Sequence, residues 1–360
     1  MYRNKKAISP LIAAVLLIGF TIVLTGLTFI WSSEMLNTSI KSVGSINNSQ
    51  SYSINAHPVQ LKYYGYYFVE FSELNMHYLD DVSNYTNVVQ IIINNPDDIN
   101  QEFADRIKKS NIKMLLQVFN NNYETFSNDD VLDKKLKELK GNLNEFNLYD
   151  DIAMIEAWDE PYTLVETHLY DNWGWPEFIR LTSTDDEINF MKSKLETKIS
   201  KINQHFPGIP VYINENKAQH VFDRYDNGSF KYAPPKNIDV ISIDPYFNPT
   251  SIECNEEQRN RFDAAINISL NWAKSTGKPI QLVGQSYYQT DWPSPIMPSV
   301  CQMQWYYETA NNPNNNILSF LWFSYAGWEQ GNVIGVKEFS DRTNYQRIIG
   351  NEILSNNRQK

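Results

Sequence analysis

The sequence predicts an α/β fold, a (β/α)8 TIM barrel preceded by a single N-terminal transmembrane helix. Eight short apolar runs recur along the chain, and stretches with helical spacing separate them. Apolar runs without polar alternation are typical of parallel strands covered on both faces, and eight such units suit a closed barrel. An open, doubly wound sheet is the alternative, but it normally has a glycine-rich phosphate turn after its first strand, which this sequence lacks.

The apolar runs that we predict as strands differ little in length. They cover residues 61–69, 88–93, 112–119, 152–158, 209–213, 239–243, 279–283 and 317–323. Four helices between them are predicted from apolar residues three and four positions apart. The first is expected to begin at Asp97 and Asp98 and to bury Ile99, Phe103 and Ile107. The others are indicated by Leu132, Leu136, Leu139 and Leu143, by Ile188, Met191, Leu195, Ile199 and Ile202, and by Phe262, Ile266, Leu270 and Ala273.

The N-terminal segment has the features of a membrane anchor. Residues 7–33 carry no charged side chain, which is long enough to span a bilayer. Arg3, Lys5 and Lys6 precede this stretch and Glu34 follows it, so the leader is expected in the cytoplasm and the rest outside the cell. A cleavable signal normally has a shorter apolar region. We therefore expect a single-pass anchor that contacts the membrane through residues 7–31.

The same segment suggests a relationship to surface filaments. The string from Lys5 to Ile12, KKAISPLI, resembles the start of archaeal type IV pilin-like proteins. This resemblance implies that a peptidase removes the basic leader, while the apolar helix stays in the membrane or packs into a filament. The early glutamate of bacterial pilins is missing here. A plain anchor is therefore the alternative.

Composition limits the possible partners. We divide the chain into residues 1–33 as leader and anchor, 34–57 as a linker rich in Ser and Asn, and 58–360 as the barrel domain. Beyond residue 33 the chain has 28 basic and 42 acidic residues, which argues against a nucleic-acid partner. Cys254 and Cys301 are the two cysteines, and they either pair or stay free. No histidine pair has metal-ligand spacing, so we expect neither a metal nor another cofactor.

Polar and aromatic residues concentrate where the predicted strands end, which is where a barrel of this kind has its active site. Two adjacent carboxylates, Asp159 and Glu160, end the fourth strand, and burying them is costly unless their charge is used. A sugar site needs polar groups for the hydroxyls and aromatic rings for the apolar faces of the pyranose. The substrate-binding candidates are Asn120, Trp158, Asn214, Tyr246, Gln285, Tyr287, Trp322 and Tyr325.

Over residues 60–350 the chain resembles the (β/α)8 glycoside hydrolases, through motifs at three strand ends. These are Trp158-Asp159-Glu160-Pro161, Asp244-Pro245-Tyr246 and Leu321-Trp322-Phe323. In the retaining enzymes with two glutamates, the acid follows strand four and the nucleophile follows strand seven, so the resemblance implies that Glu160 is the general acid. Strand seven ends at Gln285, whose amide cannot form a covalent glycosyl-enzyme intermediate.

Three explanations of this departure stay open. Asp159 and Glu160 could act as a pair, as in hexosaminidases that use the substrate's acetamido group as nucleophile. This requires an irregular strand end, because neighbouring strand residues normally point to opposite sides. Alternatively, Glu215, Asp244 or Glu329 could be a base across the cleft at the ~6.5 to 9.5 Å that inversion requires. In the third, the barrel has lost catalysis and is a glycan-binding or pilus-like surface protein.

The sequence therefore predicts a membrane-anchored, extracellular glycoside hydrolase-like protein that acts on a carbohydrate. Glu160 is expected to be the general acid and Asp159 its electrostatic partner. Glu215 and Asp244 are the further catalytic candidates.

Overall fold

The structure, a computed structural model, describes residues 61–67, 78–119, 122–166, 184–216, 233–290, 296–328 and 333–358. All of them belong to one compact unit, His57–Lys360. In these ranges no helix is both long and apolar enough to cross a bilayer. The predicted membrane segment at residues 7–31, with its pilin-like start, and the linker at 34–57 lie outside the described residues and stay predictions.

Eight parallel strands close into a barrel in chain order. They are β1 (Tyr63–Tyr66), β2 (Val88–Ile93), β3 (Lys113–Val118), β4 (Ile152–Asp159), β5 (Val211–Asn216), β6 (Val240–Asp244), β7 (Ile280–Gln285) and β9 (Ile317–Phe323). Each strand overlaps one of the apolar runs, and β1 pairs with β9 to close the ring. The predicted α/β TIM barrel is confirmed.

Helices surround the strands in the described part of the chain. They are α1 (Leu79–Val82), α2 (Gln101–Ser110), α3 (Tyr123–Ser127), α4 (Asp129–Glu145), α5 (Pro161–Glu166), α6 (Thr184–His205), α7 (Glu256–Ser275), α8 (Val300–Ala310) and α9 (Ser340–Arg358). The predicted apolar stripes of α4, α6 and α7 are all buried. These stripes therefore attach the helix layer to the barrel.

The predicted start of the first helix is wrong. Asp97 and Asp98 lie in a 3-10 turn, Pro96–Asp98, and Ile99 has an extended backbone. The α-helix begins at Gln101, because the Asn100 side chain accepts a hydrogen bond from the backbone N–H of Phe103 at 3.0 Å and caps the helix.

A second, antiparallel sheet has three short strands. β8 (Tyr287–Gln289) follows the seventh barrel strand, and β10 (Gly327–Trp328) and β11 (Val333–Gly335) follow the eighth, in the order β10-β11-β8. Gly327 has a φ of 82°, and a Cβ there would lie 2.5 Å from a backbone atom of β11. Sequence reasoning did not predict this sheet, because strands of two or three residues leave no apolar period to detect.

The interior of the barrel is unusually polar. Gln90 of β2 donates a hydrogen bond to the Glu156 carboxyl group of β4. β3 lies between these two strands, so their side chains meet only across the interior. Further along, Gln281 donates to Ser242 at 3.0 Å. The barrel thus contains hydrogen-bonded polar groups in places where aliphatic packing is common.

The two cysteines form a disulfide. Cys254, in the segment after β6, is joined to Cys301 at the start of α8, with a Cα–Cα distance of 6.3 Å. That distance lies in the normal range for a disulfide. The structure thus decides between the paired and free thiols that the sequence left open.

Candidate active site

The end of β4 is irregular, and this brings Asp159 and Glu160 together. The register between β4 and β5 shifts between Glu156 and Trp158. Glu160 has a positive φ of 50°, a conformation that costs a non-glycine residue about 1 to 3 kcal/mol. As a result, Asp159 contacts Asn214 and Glu160 contacts Asn216, two residues that lie on the same side of β5. The geometric requirement for a working pair is met.

Asp159 accepts hydrogen bonds from neighbouring side chains. Its Oδ1 accepts hydrogen bonds from the Tyr67 hydroxyl at 2.7 Å and from the Asn214 amide at 3.0 Å. Burial raises the pKa of Asp159, and these hydrogen bonds oppose the shift. The donors therefore favour the ionised form in a place where burial disfavours it.

Glu160 has an environment suited to an acid. Its Oε1 accepts a hydrogen bond from the Asn216 amide at 2.8 Å. Burial, and then the negative charge of Asp159, raise the pKa of Glu160 to about 7. The nearby Asp244 side chain and the Asn216 amide oppose this rise. Glu160 can therefore hold a transferable proton close to neutral pH.

Asp244 lies near this acid and its pKa responds to it. Burial, followed by the charges of Glu160 and Asp159, raises its pKa well above the usual range. The Asn214 amide donates to its Oδ2 at 3.2 Å, whereas Oδ1 has no hydrogen-bond partner among the described residues. Asp244 and Glu160 thus influence each other's pKa at the same end of the barrel.

Asn214 organises the three carboxyl groups. The Ser242 hydroxyl donates to its Oδ1 at 2.7 Å. This bond fixes the amide orientation, because Oδ1 must face the hydroxyl and Nδ2 must then face Asp159 and Asp244. Asn214 was predicted to bind substrate. In the structure its amide contacts Asp159 and Asp244, and its role toward a substrate stays a prediction.

An aromatic wall lies beside the carboxyl groups. The Tyr246 ring is 5.2 Å from that of Tyr287 and 5.8 Å from that of Phe323. Burial and the charge of Asp244 raise the pKa of Tyr246, which places this ring next to the acidic cluster. Tyr246 is partly exposed and can offer its face to a ligand. Two predicted binding residues, Tyr246 and Tyr287, are thus brought to the site, together with Phe323, which was not among the candidates.

Trp158 and Trp322 were both predicted to bind substrate. They lie on the sides of their strands that face away from the site. The Trp158 ring packs 5.5 Å from that of Phe126 in α3, and the Lys198 amine lies 4.6 Å from its centroid. Trp322 donates a hydrogen bond to the Tyr64 hydroxyl at 2.9 Å. Both tryptophans are almost completely buried between the barrel and the helices. Strand alternation is the reason, since their neighbours Asp159 and Phe323 point toward the site.

The other predicted residues are distributed more widely. Tyr325 packs on Tyr66, with ring centroids 5.2 Å apart. Glu215 is completely buried, and its carboxylate accepts the backbone N–H of Tyr162 at 3.1 Å. Asn120 and Glu329 lie outside the described residues.

Gln285 ends β7 and is occupied by backbone groups. Its Oε1 accepts a hydrogen bond from the Asn248 N–H at 3.2 Å, and its Nε2 donates to the Tyr287 carbonyl at 3.3 Å. The side chain is fully buried. It therefore ties the segments after β6 and β7 together, at the position where two-glutamate enzymes have their nucleophile.

Glu156 was missed by sequence reasoning. It is fully buried inside the barrel, and its carboxyl group contacts Tyr67 at 2.7 Å, Tyr212 at 3.0 Å and Gln90. Burial and then the charge of Asp159 raise its pKa to about 8. A single acidic residue within the apolar run of residues 152–158 was the available signal.

The described residues contain no group of three or more His, Cys, Asp and Glu side chains with the geometry of a metal site. The three clustered carboxyl groups are those of Asp159, Glu160 and Asp244. Their hydrogen bonds come from side chains of the barrel itself.

Comparisons with known proteins indicate the fold. No protein-family model matches the chain, and no curated protein is significantly similar in sequence. Among solved structures, the chain is similar to the β-galactosidase of the psychrophilic Marinomonas ef1, with a TM-score of 0.53, 9% identity, and coverage of 81% of this chain and 59% of that one. A β-galactosidase of the Antarctic haloarchaeon Halorubrum lacusprofundi matches with a TM-score of 0.53, 11% identity, and coverage of 81% and 58%.

The AHE enzyme of Alicyclobacillus herbarius matches with a TM-score of 0.50, 10% identity, and coverage of 79% of this chain and 87% of that chain. Of the two β-galactosidases, in contrast, this chain spans less than two thirds of the length. At these identities the similarity shows the fold alone. The fold that these proteins share with this chain is the closed barrel of eight parallel strands.

Proposed function

We propose that this protein is a glycoside hydrolase in which Glu160 is the general acid. The observation that carries the proposal is the convergence of Glu160, Asp159 and Asp244 at the C-terminal end of the barrel strands. The active sites of TIM-barrel enzymes lie at this end. A carboxyl group with a pKa of about 7 beside a second, ionisable carboxyl group is the pattern of paired acid and electrostatic partner.

The pair is suited to substrate-assisted hydrolysis of an N-acetylhexosaminide. Glu160 gives its proton to the glycosidic oxygen, and the C–O bond breaks with its electrons passing to that oxygen. The acetamido oxygen of the substrate then bonds to the anomeric carbon, and the ionised Asp159 stabilises the resulting oxazolinium ion. Water next attacks the anomeric carbon, the carbon–oxygen bond to the acetamido group breaks, and the Glu160 carboxylate takes a proton from the water. No nucleophile is required at Gln285.

The test is a screen of aryl glycosides that includes N-acetyl-glucosaminides and N-acetyl-galactosaminides. We expect turnover of an N-acetylhexosaminide, and we expect Glu160→Gln to remove it while the circular dichroism spectrum stays unchanged. The matched control is Glu257→Gln, an exposed glutamate on α7 that should keep full turnover. If Glu160→Gln keeps full turnover on a substrate that the parent cleaves, the assignment is wrong.

A catalytically inactive glycan-binding protein is the second candidate. The observation that favours it is Gln285, a fully buried amide where the nucleophile of two-glutamate enzymes stands. Under this alternative, calorimetry would detect glycan binding that weakens when Tyr246 is replaced by Ala, and no glycoside in the panel would be hydrolysed. A pilus-like role belongs to this alternative as well.

The proposed location is the outer face of the cell membrane, with residues 7–31 as a single-pass anchor. The disulfide between Cys254 and Cys301 supports it, because disulfides persist mainly in oxidising compartments. Expression of the full chain should place the protein in the membrane fraction, with its barrel accessible to added protease in intact cells. Recovery in the soluble cytoplasmic fraction would contradict the proposal.

A further inference from the structure

Tyr67 connects two carboxyl groups inside the barrel. Its hydroxyl oxygen lies 2.7 Å from Oε1 of Glu156 and 2.7 Å from Oδ1 of Asp159. A phenol has one proton and can donate to only one of these acceptors. If both contacts are hydrogen bonds, one of the two carboxyl groups carries a proton and donates it to the Tyr67 oxygen.

Burial indicates which group holds that proton. Glu156 is completely buried, whereas Asp159 is partly exposed. An ionised carboxylate is more costly in the interior than at the strand end. The resting arrangement is therefore a protonated Glu156 that donates to Tyr67, and a Tyr67 hydroxyl that donates to the ionised Asp159. Burial also raises the pKa of Tyr67 well above its usual range, so this hydroxyl stays neutral.

Glu156 can also carry the negative charge in place of Asp159. The Oε2 atom of Glu156 accepts hydrogen bonds from the Tyr212 hydroxyl at 3.0 Å and from the Gln90 amide. Together with Tyr67, three donors can thus surround an ionised Glu156. Two arrangements that differ only in where the protons lie are both hydrogen-bonded, which is the condition for moving a charge between the two ends.

We propose that Glu156 is a positioning residue that exchanges a proton with Asp159 through the Tyr67 hydroxyl and so sets the charge of Asp159 during the reaction. In one direction the Glu156 Oε1–H bond breaks and its proton goes to the Tyr67 oxygen. The Tyr67 O–H proton passes at the same time to Oδ1 of Asp159. The products are an ionised Glu156, a neutral Tyr67 and a protonated Asp159, and no proton enters or leaves the protein.

The proton exchange would serve the catalytic cycle of the proposed glycosidase. This part of the inference rests on that proposed function. While the oxazolinium ion exists, Asp159 must be ionised. Once it has been consumed, Glu160 again holds its proton and the negative charge of Asp159 no longer has a positive partner. The relay then lets Glu156 share this negative charge with Asp159, and it leaves the charge on Asp159 when positive charge develops on the next substrate.

Other groups near Glu156 define the controls. Among the described residues, the titratable side chains that act on it or respond to it are Tyr67, Asp159, Tyr212 and Lys198. The Lys198 amine donates to the Val118 carbonyl at 2.8 Å and also sits over Trp158, outside the barrel. Tyr212→Phe removes a hydroxyl that contacts the same glutamate without connecting it to Asp159. It is therefore the matched control for Tyr67→Phe.

The first measurement needs no substrate. Infrared spectroscopy of the purified protein at pH 6.5 should show C=O stretches of buried, protonated carboxyl groups, and the difference spectrum between the parent and Glu156→Gln should contain one such band that belongs to Glu156. Tyr67→Phe should keep a band, shifted because its hydrogen bond is lost, whereas Tyr212→Phe should leave the Glu156 proton in place. An unchanged spectrum of Glu156→Gln would overturn the inference, whether or not the protein proves to be a glycosidase.

The second measurement uses the substrate that the glycoside screen identifies. We expect Glu156→Gln and Tyr67→Phe each to lower kcat by roughly 10- to 100-fold with little change in KM, since neither side chain is placed to contact the sugar. The double variant should lose no more than either single variant, because both interrupt one relay. Multiplicative losses in the double variant, or an equal loss in Tyr212→Phe, would contradict a relay. If no glycoside is hydrolysed while the infrared result holds, the proposed function fails and the shared proton stands.

Discussion

Four carboxyl groups of this barrel belong to one hydrogen-bonded network, and their differences come from their surroundings. Glu156 lies deepest and has the pKa raised to about 8, while Glu160 at the strand end has the pKa raised to about 7. Asp159 is held toward the ionised form by Tyr67 and Asn214. Desolvation is the first cause in each case, and hydrogen-bond donors oppose it. A set of similar side chains thereby acquires different proton affinities.

The buried Glu156 makes the stability of the fold depend on pH. Its folded-state pKa of about 8 lies above its ordinary value, so the folded protein binds this proton more tightly than the unfolded chain does. The stabilisation is complete below the ordinary pKa and is lost as the pH rises toward 8. We expect Glu156→Gln to lack this loss. Urea titrations should show that the free energy of unfolding of Glu156→Gln rises relative to that of the parent between pH 5 and 9. The rise should be on the order of 4 kcal/mol at most.

The same experiment has a clear contrary result. If parent and Glu156→Gln lose stability in parallel over that pH range, Glu156 does not bind its proton more tightly in the folded state. Glu257→Gln, which changes an exposed glutamate, provides the comparison for a nonspecific effect of charge.

Elements of this fold were predictable wherever their apolar pattern is long. All eight barrel strands overlap an apolar run, and the four-leucine stripe of α4 is buried as expected. The directions in which individual side chains point were harder to predict from the sequence. In β4, the register shift and the left-handed backbone of Glu160 are decided by tertiary contacts. Trp158 and Trp322 were assigned to the site because they lie at strand ends, although strand alternation turns both toward the helices.

The start of α2 can be tested directly. The Asn100 side chain caps the helix, so Asn100→Ala should lower the free energy of unfolding by about 1 kcal/mol. Asp97→Ala, at the start that the sequence predicted, should change it by less than about 0.5 kcal/mol because Asp97 is exposed in the preceding turn. Urea titration of both variants measures the difference. A larger loss for Asp97→Ala would place the cap at the earlier position.

At the level of the whole molecule, the sequence predicted the class of barrel and the position of Glu160, because strand order and strand ends follow from apolar runs. Glu156 was missed because one acidic residue does not interrupt such a run. The pairing of Cys254 with Cys301 was not predictable, since it depends on how the segment after β6 meets α8. Long-range contacts of this kind leave no periodic signal in the sequence.

That disulfide should contribute to the stability of the whole barrel domain. It closes a loop with a sequence separation of 47, for which the chain-entropy estimate is about 4 kcal/mol. The double variant Cys254→Ser/Cys301→Ser should therefore melt at a lower temperature than the oxidised parent in calorimetry. The reduced parent should match the variant. Equal melting temperatures for the oxidised parent and the variant would mean that the bond does not stabilise the folded chain.

The central claim is that Glu160 protonates the departing oxygen, and its most direct test compares leaving groups. The measurement is kcat/KM of the parent and of Glu160→Gln on two aryl N-acetylhexosaminides, one with a poor and one with a good leaving group. A leaving group that departs without protonation does not need the acid. We predict a loss of about 10²- to 10⁴-fold on the poor leaving group and a much smaller loss on the good one. Equal losses on both substrates would contradict the role of Glu160 as general acid.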